Sequence, residues 1–220
     1  VAGRFIYSNL TQGVQDYSKA AISVAADVAV YYTRDVNWFS GLDANFSWGV
    51  AITNIGSKMN YNEANLEKDF IPTNLRLGPT LKLDIDDYNS LAFSVDFNKL
   101  LVPTPPVLDE NGDIYAGMDP NVGIVQGAIQ SFYDAPNGLK EEFQELTLSV
   151  GAEYWYNKIL AVRAGYFYEA PNKGARQYLT LGAGLRYNVM GLDISYLIST
   201  AALNNNPLKN TLRVSLSFDL

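Results

Sequence analysis

The side chains that could carry acid/base chemistry in this sequence are carboxylates, because histidine and cysteine are both absent from its 220 residues. Two adjacent pairs stand out, Asp86 with Asp87 and Glu141 with Glu142. Paired carboxylates can serve as general acid and base when they are suitably positioned. Both pairs occur among turn and loop residues, so we interpret them as solvated charges. Ser-His-Asp, Cys-His and the usual zinc sites are excluded because each needs an imidazole or a thiolate.

Two further motifs have the composition of a ligand site without its spacing. The run DENGD at 109–113 offers oxygen ligands and a glycine, but it lacks the spacing and the terminal glutamate of an EF-hand, so we interpret it as a loop tip. Gly182 and Gly184 precede no helical pattern and are read as strand positions facing a lumen. A net charge of −7 argues against a nucleic-acid partner. We therefore expect no enzyme activity, no cofactor and no metal.

The elements that position these residues are strands in which apolar and polar side chains alternate. In the segment Asn210–Leu220, one face carries leucine, valine and phenylalanine, and the other carries Arg213, Asp219 and two serines. Such alternation predicts a strand with one apolar face. The same alternation recurs at 46–53, 75–85, 91–98, 148–156, 160–169, 179–187 and 192–198.

Alternation alone does not orient the sheet, because a soluble sandwich or a small soluble barrel alternates in the same way. Tyrosine and tryptophan at strand ends favour a membrane barrel, since aromatic girdles mark its two interfaces. No apolar run is long enough for a transmembrane helix. The girdle candidates are Tyr7, Tyr31, Tyr32, Trp48, Tyr154, Trp155, Tyr156, Tyr166, Tyr168, Tyr178, Tyr187 and Tyr196.

Short and long links alternate between the strands, as they do when short turns face the periplasm and long loops face outside. The sequence thus predicts an all-β fold, a transmembrane antiparallel β-barrel domain over residues 1–220 with about ten strands. Short links are expected at Asp86–Asn89, Tyr156–Lys158 and Asn188–Gly191, and longer ones at Asn9–Ala20, Asp35–Gly41, Ser57–Lys68, Pro103–Glu142, Ala170–Ala175 and Ala201–Lys209. Because Val1–Ser8 already alternates like a strand, we expect the chain to be the C-terminal part of a longer barrel.

The long extracellular loop at residues 103–142 breaks the strand pattern. Val122, Val125, Ile129 and Phe132 recur at helical spacing after Asp119 and Pro120, which predicts a short helix there. Leu139, Phe143 and Leu146 indicate a further helical turn or the lead-in to the next strand. The preceding VPTPP at 102–106 predicts a stiff, extended strap that projects from the barrel. Such a loop packs on the barrel rim, or serves as a lid or a partner-docking element.

Eight motifs carry a resemblance to the PorV family, the outer-membrane barrel component of the type IX protein secretion system, related in fold to FadL-type barrels. They are WGVAITNIG (48–56), FIPTNLRLG (70–78), DFNKLLVPTPP (96–106), SFYDAPNGLKEEFQE (131–145), GAEYWYN (151–157), RAGYFYE (163–169), LDISYLI (192–198) and NPLKNTL (206–212). The resemblance runs from about Trp38 to the C-terminus. It implies a barrel of about fourteen strands, of which roughly four are missing from this chain.

The resemblance implies a non-enzymatic component in the outer membrane of a Gram-negative bacterium. PorV-like proteins bind the C-terminal domains of secreted cargo, associate with a large translocon barrel and pass cargo to a surface attachment complex. Membrane lipid is a further partner. For partner contact we select the strap and one helical face: Leu100, Leu101, Val102, Pro103, Pro105, Pro106, Ile129 and Phe132.

The alternative function is a FadL-like transporter of hydrophobic small molecules, which would need an apolar pocket and a strand kink, for which Pro79 is a candidate. A general porin is a third possibility. The charged inner faces speak against an apolar pocket, and we expect these charges to pair and fill the lumen. They are Arg76, Lys82, Asp84, Asp96, Glu153, Arg163, Glu169, Arg186, Asp193 and Arg213.

Overall fold

The computed structural model describes residues 1–9, 19–38, 42–61, 68–200 and 209–219. No helix in these segments is long and apolar enough to cross a membrane. The central parts of three expected long links, at Asn9–Ala20, Ser57–Lys68 and Ala201–Lys209, lie outside the described residues, as do Phe39 and Leu220. The elements are β1 (Ala2–Ser8), β2 (Ala21–Trp38), β3 (Leu42–Gly56), β4 (Asn74–Asp84), β5 (Asn89–Leu100), β6 (Val107–Leu108), β7 (Ile114–Ala116), α1 (Ile124–Gln130), α2 (Leu139–Gln144), β8 (Thr147–Tyr156), β9 (Leu160–Tyr168), β10 (Gln177–Tyr187), β11 (Met190–Ser199) and β12 (Leu212–Phe218).

Ten of these strands form one sheet in the order β1-β2-β3-β4-β5-β8-β9-β10-β11-β12. Neighbouring strands run antiparallel at both edges, with Ala2 opposite Asp27 in β1–β2 and Met190 opposite Phe218 in β11–β12, and from β8 to β11 between them. This confirms the all-β, antiparallel prediction and the strand number. Among the described residues, β1 and β12 each pair with a single neighbour, so the sheet is open.

The short links lie where alternation places them, between β4 and β5, β8 and β9, and β10 and β11. Asn157 and Lys158 both adopt positive φ, at 51° and 55°, which fits a type I′ hairpin turn between β8 and β9. The expected link at Asp35–Gly41 is shorter than predicted, because β2 continues to Trp38. Pro79 does not interrupt β4, which runs through it.

The chain divides into two compact units. The first comprises Val1–Val30, Val50–Arg76 and Asn98–Glu145, and it contains a small apolar cluster. The cluster consists of Ala21, Ala25, Met59 and Ile71. The second comprises Tyr31–Gly49, Leu77–Phe97 and Leu146–Leu220, and it contains charged side chains that pair with one another.

Within each unit, the strands show the reverse of the burial pattern that is usual in a water-soluble protein. In β2, Ile22, Val24 and Val28 are exposed while Ser23 and Asp27 are buried. In β10 the odd-numbered positions from 181 to 187 are exposed, whereas Gly184 is buried. Apolar side chains are therefore exposed where a soluble sheet would bury them.

The insertion between β5 and β8 holds a two-stranded hairpin, β6–β7, and the two short helices. Helix α1 begins after Gly123, four residues later than Asp119, because the Asp119 Oδ1 accepts a hydrogen bond from the Asn121 backbone at 2.8 Å and closes a turn instead. Helix α2 confirms the helical turn predicted from Leu139 and Phe143. A Cβ added at Gly127 would lie 2.7 Å from the Phe70 ring, so α1 packs closely on Phe70.

Candidate partner-binding site

The strap predicted from VPTPP follows β5, and parts of it are held down rather than projecting. Leu101 and Pro103 are buried, while Leu100 and Pro105 are exposed. The buried Leu101 donates its backbone N–H to the Thr73 carbonyl at 2.8 Å. The prediction that the whole strap projects is therefore wrong, because one side of it packs within the first unit.

The remaining residues selected from the sequence also differ in how far they are exposed. Val102 and Pro106 are half-buried, whereas Ile129 on α1 and Phe132 just after it are exposed. The Lys99 ammonium lies 5.6 Å from the centroid of the Phe132 ring. Ile129 and Phe132 are thus the two selected positions outside the strap that a partner protein can reach directly.

A buried network centred on Lys99 fastens the insertion to the end of β5. The Lys99 Nζ lies 3.1 Å from Glu142 Oε2 and 2.8 Å from Glu145 Oε2, and its side chain is 5% exposed. The other Glu142 oxygen accepts the Ala135 backbone N–H at 2.8 Å. One ammonium therefore pairs with two carboxylates, Glu142 within α2 and Glu145 at its C-terminal end. This corrects our interpretation of Glu142 as a solvated charge.

Asp134 adds a third carboxylate to the network. Its Oδ2 accepts the Thr104 backbone N–H at 3.0 Å, and the Thr104 hydroxyl donates to Glu145 Oε1 at 2.6 Å. The residue is 1% exposed, and its Oδ1 is buried without a hydrogen-bond partner. Burial raises the pKa of the Asp134 carboxyl, and repulsion from Glu142 and Glu145 raises it further. The strap is thus joined to the residues after α1 by a hydrogen bond from Thr104 to the buried Asp134 carboxyl.

The two helices carry two apolar stripes, of which our selection of contact residues included only Ile129. On α1, Val125 and Ile129 lie four positions apart, and on α2, Leu139 and Phe143 have the same spacing. Residues four apart share a helix face. Their exposed fractions are 72% for Val125 and Phe143 and 74% for Leu139. The helical spacing was visible in the sequence, but exposure depends on which face the buried network occupies.

The other carboxylates singled out from the sequence serve local turns. Asp86 accepts hydrogen bonds from the backbone N–H groups of Tyr88 and Asn89, both at 2.8 Å. Asp109 accepts the backbone N–H groups of Asn111 and Asp113, both at 2.9 Å, which makes the DENGD run a folded loop tip. No group of three or more metal-ligating side chains occurs within the described segments.

Several of the polar-face charges in the second unit pair as predicted. Arg163 contacts Glu153 Oε2 at 2.5 Å and Asp193 Oδ1 at 2.6 Å, and Arg186 reaches the second Asp193 oxygen at 2.8 Å. Trp155, which we had assigned to an aromatic girdle, stacks on both guanidinium groups. Glu169 lies beyond β9, where it pairs with Arg176 instead of facing the strand's inner side.

Glycine at position 184 gives this ion-pair network its space. A Cβ there would lie 2.5 Å from Asp193 Oδ1 and 2.8 Å from Arg163 Nη1. A side chain at position 184 would therefore collide with the charged groups beside it, which explains the glycine. This is consistent with the interpretation of Gly184 as a lumen-facing strand position rather than part of a phosphate loop.

A cavity of about 470 Å³ lies beside Arg163 in the second unit. Its walls combine small and polar side chains with two acidic residues, Asp96 and Glu153. Hydrophobic ligands require a mostly apolar lining. Its three charged side chains, Asp96, Glu153 and Arg163, do not suit the apolar pocket that a FadL-like transporter would need.

These features define an all-β protein whose single large antiparallel sheet exposes apolar side chains and pairs charges on the opposite face. The family model of the type IX secretion system protein PorV matches residues 1–107, just under half of the chain. The match confirms the resemblance over the three motifs between residues 48 and 106, and it includes residues 1–37, which the motifs did not reach. The five motifs beyond residue 107 lie outside the match. PorV is a component of the type IX secretion system and is not a known enzyme family. No curated protein matches the chain.

Proposed function

We propose that this chain is part of an outer-membrane β-barrel that binds the C-terminal domains of secreted cargo, associates with the translocon barrel of the type IX secretion system and delivers cargo to the attachment complex. The observation that carries the proposal is the PorV match over residues 1–107. The exposed apolar face of the sheet supports it, because lipid rather than water suits those side chains.

Closure of the sheet is part of this proposal. The outer edges of β1 and β12 are unpaired among the described residues. Unpaired backbone N–H and C=O groups cost several kcal/mol each in a hydrocarbon environment, so a sheet in the membrane must close. We therefore propose that further strands pair with these two edges and complete the barrel.

The test is affinity purification of the full-length protein from detergent-solubilised outer membranes, with mass spectrometry of the proteins that accompany it. Recovery of a very large barrel together with secreted proteins that share a C-terminal domain is the expected result. A lone barrel that carries only lipid or fatty acid would instead favour the FadL-like transporter.

The partner contact of the strap and α1 is tested by replacing Val102 and Phe132 with aspartate. Both residues lie outside the strands, so the sheet should still form. We expect weaker recovery of translocon and cargo in the same purification. The matched control is Tyr88→Asp, which places a charge on an exposed aromatic in the β4–β5 turn. Equal recovery from the Val102/Phe132 variant and the wild type would refute the contact assignment.

A further inference from the structure

The negative charge of this protein is concentrated in the insertion at residues 103–142. These residues include seven acidic side chains and one basic side chain, Lys140, which gives a net charge of −6 out of −7 for the whole chain. The rest of the chain is nearly neutral. Of the seven acids, Asp134 and Glu142 are buried in the Lys99 network, whereas Asp109, Glu110, Asp113 and Asp119 are exposed.

The same insertion exposes large apolar side chains to an unusual degree. We define the exposed apolar set as Leu108, Tyr115, Val125, Ile129, Tyr133 and Leu139 within the insertion, together with Phe143 directly after it, each more than half exposed. Single exposed apolar residues need no explanation, but several in one short segment indicate an interaction site. The segments that carry this set are held in place, because Lys99, Glu142 and Asp134 form the ion pair and hydrogen bonds that fasten the helices and the strap.

We infer that the insertion is a docking surface for a protein partner whose apolar contact area is surrounded by lysine and arginine. The inference deepens the partner-binding role proposed above and rests on it. Four exposed acidic residues accompany the exposed apolar set, and only Lys140 opposes them. Complementary charge steers association and suppresses wrong partners, so a basic protein surface is favoured.

An anionic lipid surface is the other candidate for an exposed apolar segment, and the charge argues against it. Segments that bind anionic membranes carry basic residues on their polar side. Here the exposed charged residues are acidic with one exception, so they would be repelled by phosphate headgroups. The insertion therefore docks on protein rather than on the headgroup layer.

The test uses the full-length protein in phosphatidylcholine nanodiscs and two labelled synthetic peptides with the same leucine face, one with lysine and one with glutamate as the polar residue. Fluorescence anisotropy gives Kd for each peptide, with empty nanodiscs subtracted. We expect the lysine peptide to bind more tightly than the glutamate peptide, and high salt to reduce the difference.

Two variants localise the binding. Neutralising Glu110, Asp113 and Asp119 as Glu110→Gln, Asp113→Asn and Asp119→Asn should weaken the lysine peptide about tenfold, since three partly screened charges are lost. A second variant with Val125→Ser and Phe143→Ser should weaken both peptides. The matched control replaces three exposed acids outside the insertion, as Asp43→Asn, Asp87→Asn and Asp219→Asn, and should change Kd less than twofold.

Three results would overturn the inference: equal binding of the two peptides, equal weakening by the control variant, or binding of phosphatidylglycerol vesicles that the Val125/Phe143 variant abolishes. These outcomes are separable from a failure of the proposed function. Cargo and translocon recovered with the insertion-neutralised protein at wild-type yield would leave the secretion role standing while removing this surface from it.

Discussion

Replacement of Lys99 by methionine tests whether the buried network holds the insertion in place. Methionine keeps much of the volume of the lysine stem but removes the ammonium that contacts Glu142 and Glu145 at 3.1 and 2.8 Å. Three carboxylates, including Asp134, would then share a buried region without the cation that neutralises them. We expect the insertion to detach locally, while the strands of the sheet remain paired.

The magnitude follows from the burial of the pair. The side chains of Lys99 and Glu142 are 5% and 9% exposed. Removing one partner of a buried ion pair costs about 3 to 5 kcal/mol because the other charge is left uncompensated. Since 1.4 kcal/mol is a tenfold change in an equilibrium constant, local opening should become roughly a hundredfold or more frequent.

Hydrogen exchange measures this opening at two amides that belong to the network. The Ala135 N–H donates to Glu142 and the Thr104 N–H donates to Asp134, so both should lose protection in Lys99→Met. The matched control is Lys140→Met, which removes the exposed cation of the insertion and should leave both amides protected. Adding Glu142→Gln and Glu145→Gln to Lys99→Met should restore part of the protection. Unchanged exchange in Lys99→Met would refute the reasoning.

Two further predictions concern the pKa of Asp134 and the proposed lipid-facing side of the sheet. Because the folded state raises the pKa of Asp134, the insertion is stabilised by the protonated form. This contribution to the stability of the insertion should be present at low pH and be lost as the pH rises through the raised pKa of Asp134. Thr104 protection factors should fall over the same range, and Asp134→Asn should abolish that fall. In the sheet, Leu181→Arg should destabilise the bilayer-inserted protein by about 2 to 4 kcal/mol in urea titrations, while Thr180→Arg on the polar face should cost much less; equal costs would contradict the proposed lipid-facing side.

The strands and their short links could be predicted from the sequence because both depend on local chemistry. Period-2 alternation assigns side chains to faces, and asparagine tolerates the positive φ that a tight hairpin needs, as at Asn157. The exposure of the residues selected for partner contact could be predicted only in part. Ile129 and Phe132 are exposed as expected, but Pro103 and Leu101 are buried, because burial depends on which distant segment covers a residue.

The sequence by itself determined an antiparallel all-β fold, an acidic insertion with helical segments and the resemblance to PorV. These properties follow from side-chain periodicity and composition, which need no knowledge of distant contacts. Only the tertiary structure decided that Lys99 neutralises Glu142, 43 residues away, and that the apolar rather than the polar side of the strands is exposed. Long-range pairing and solvent exposure are set by how segments pack together, and alternation is identical for either orientation of the sheet.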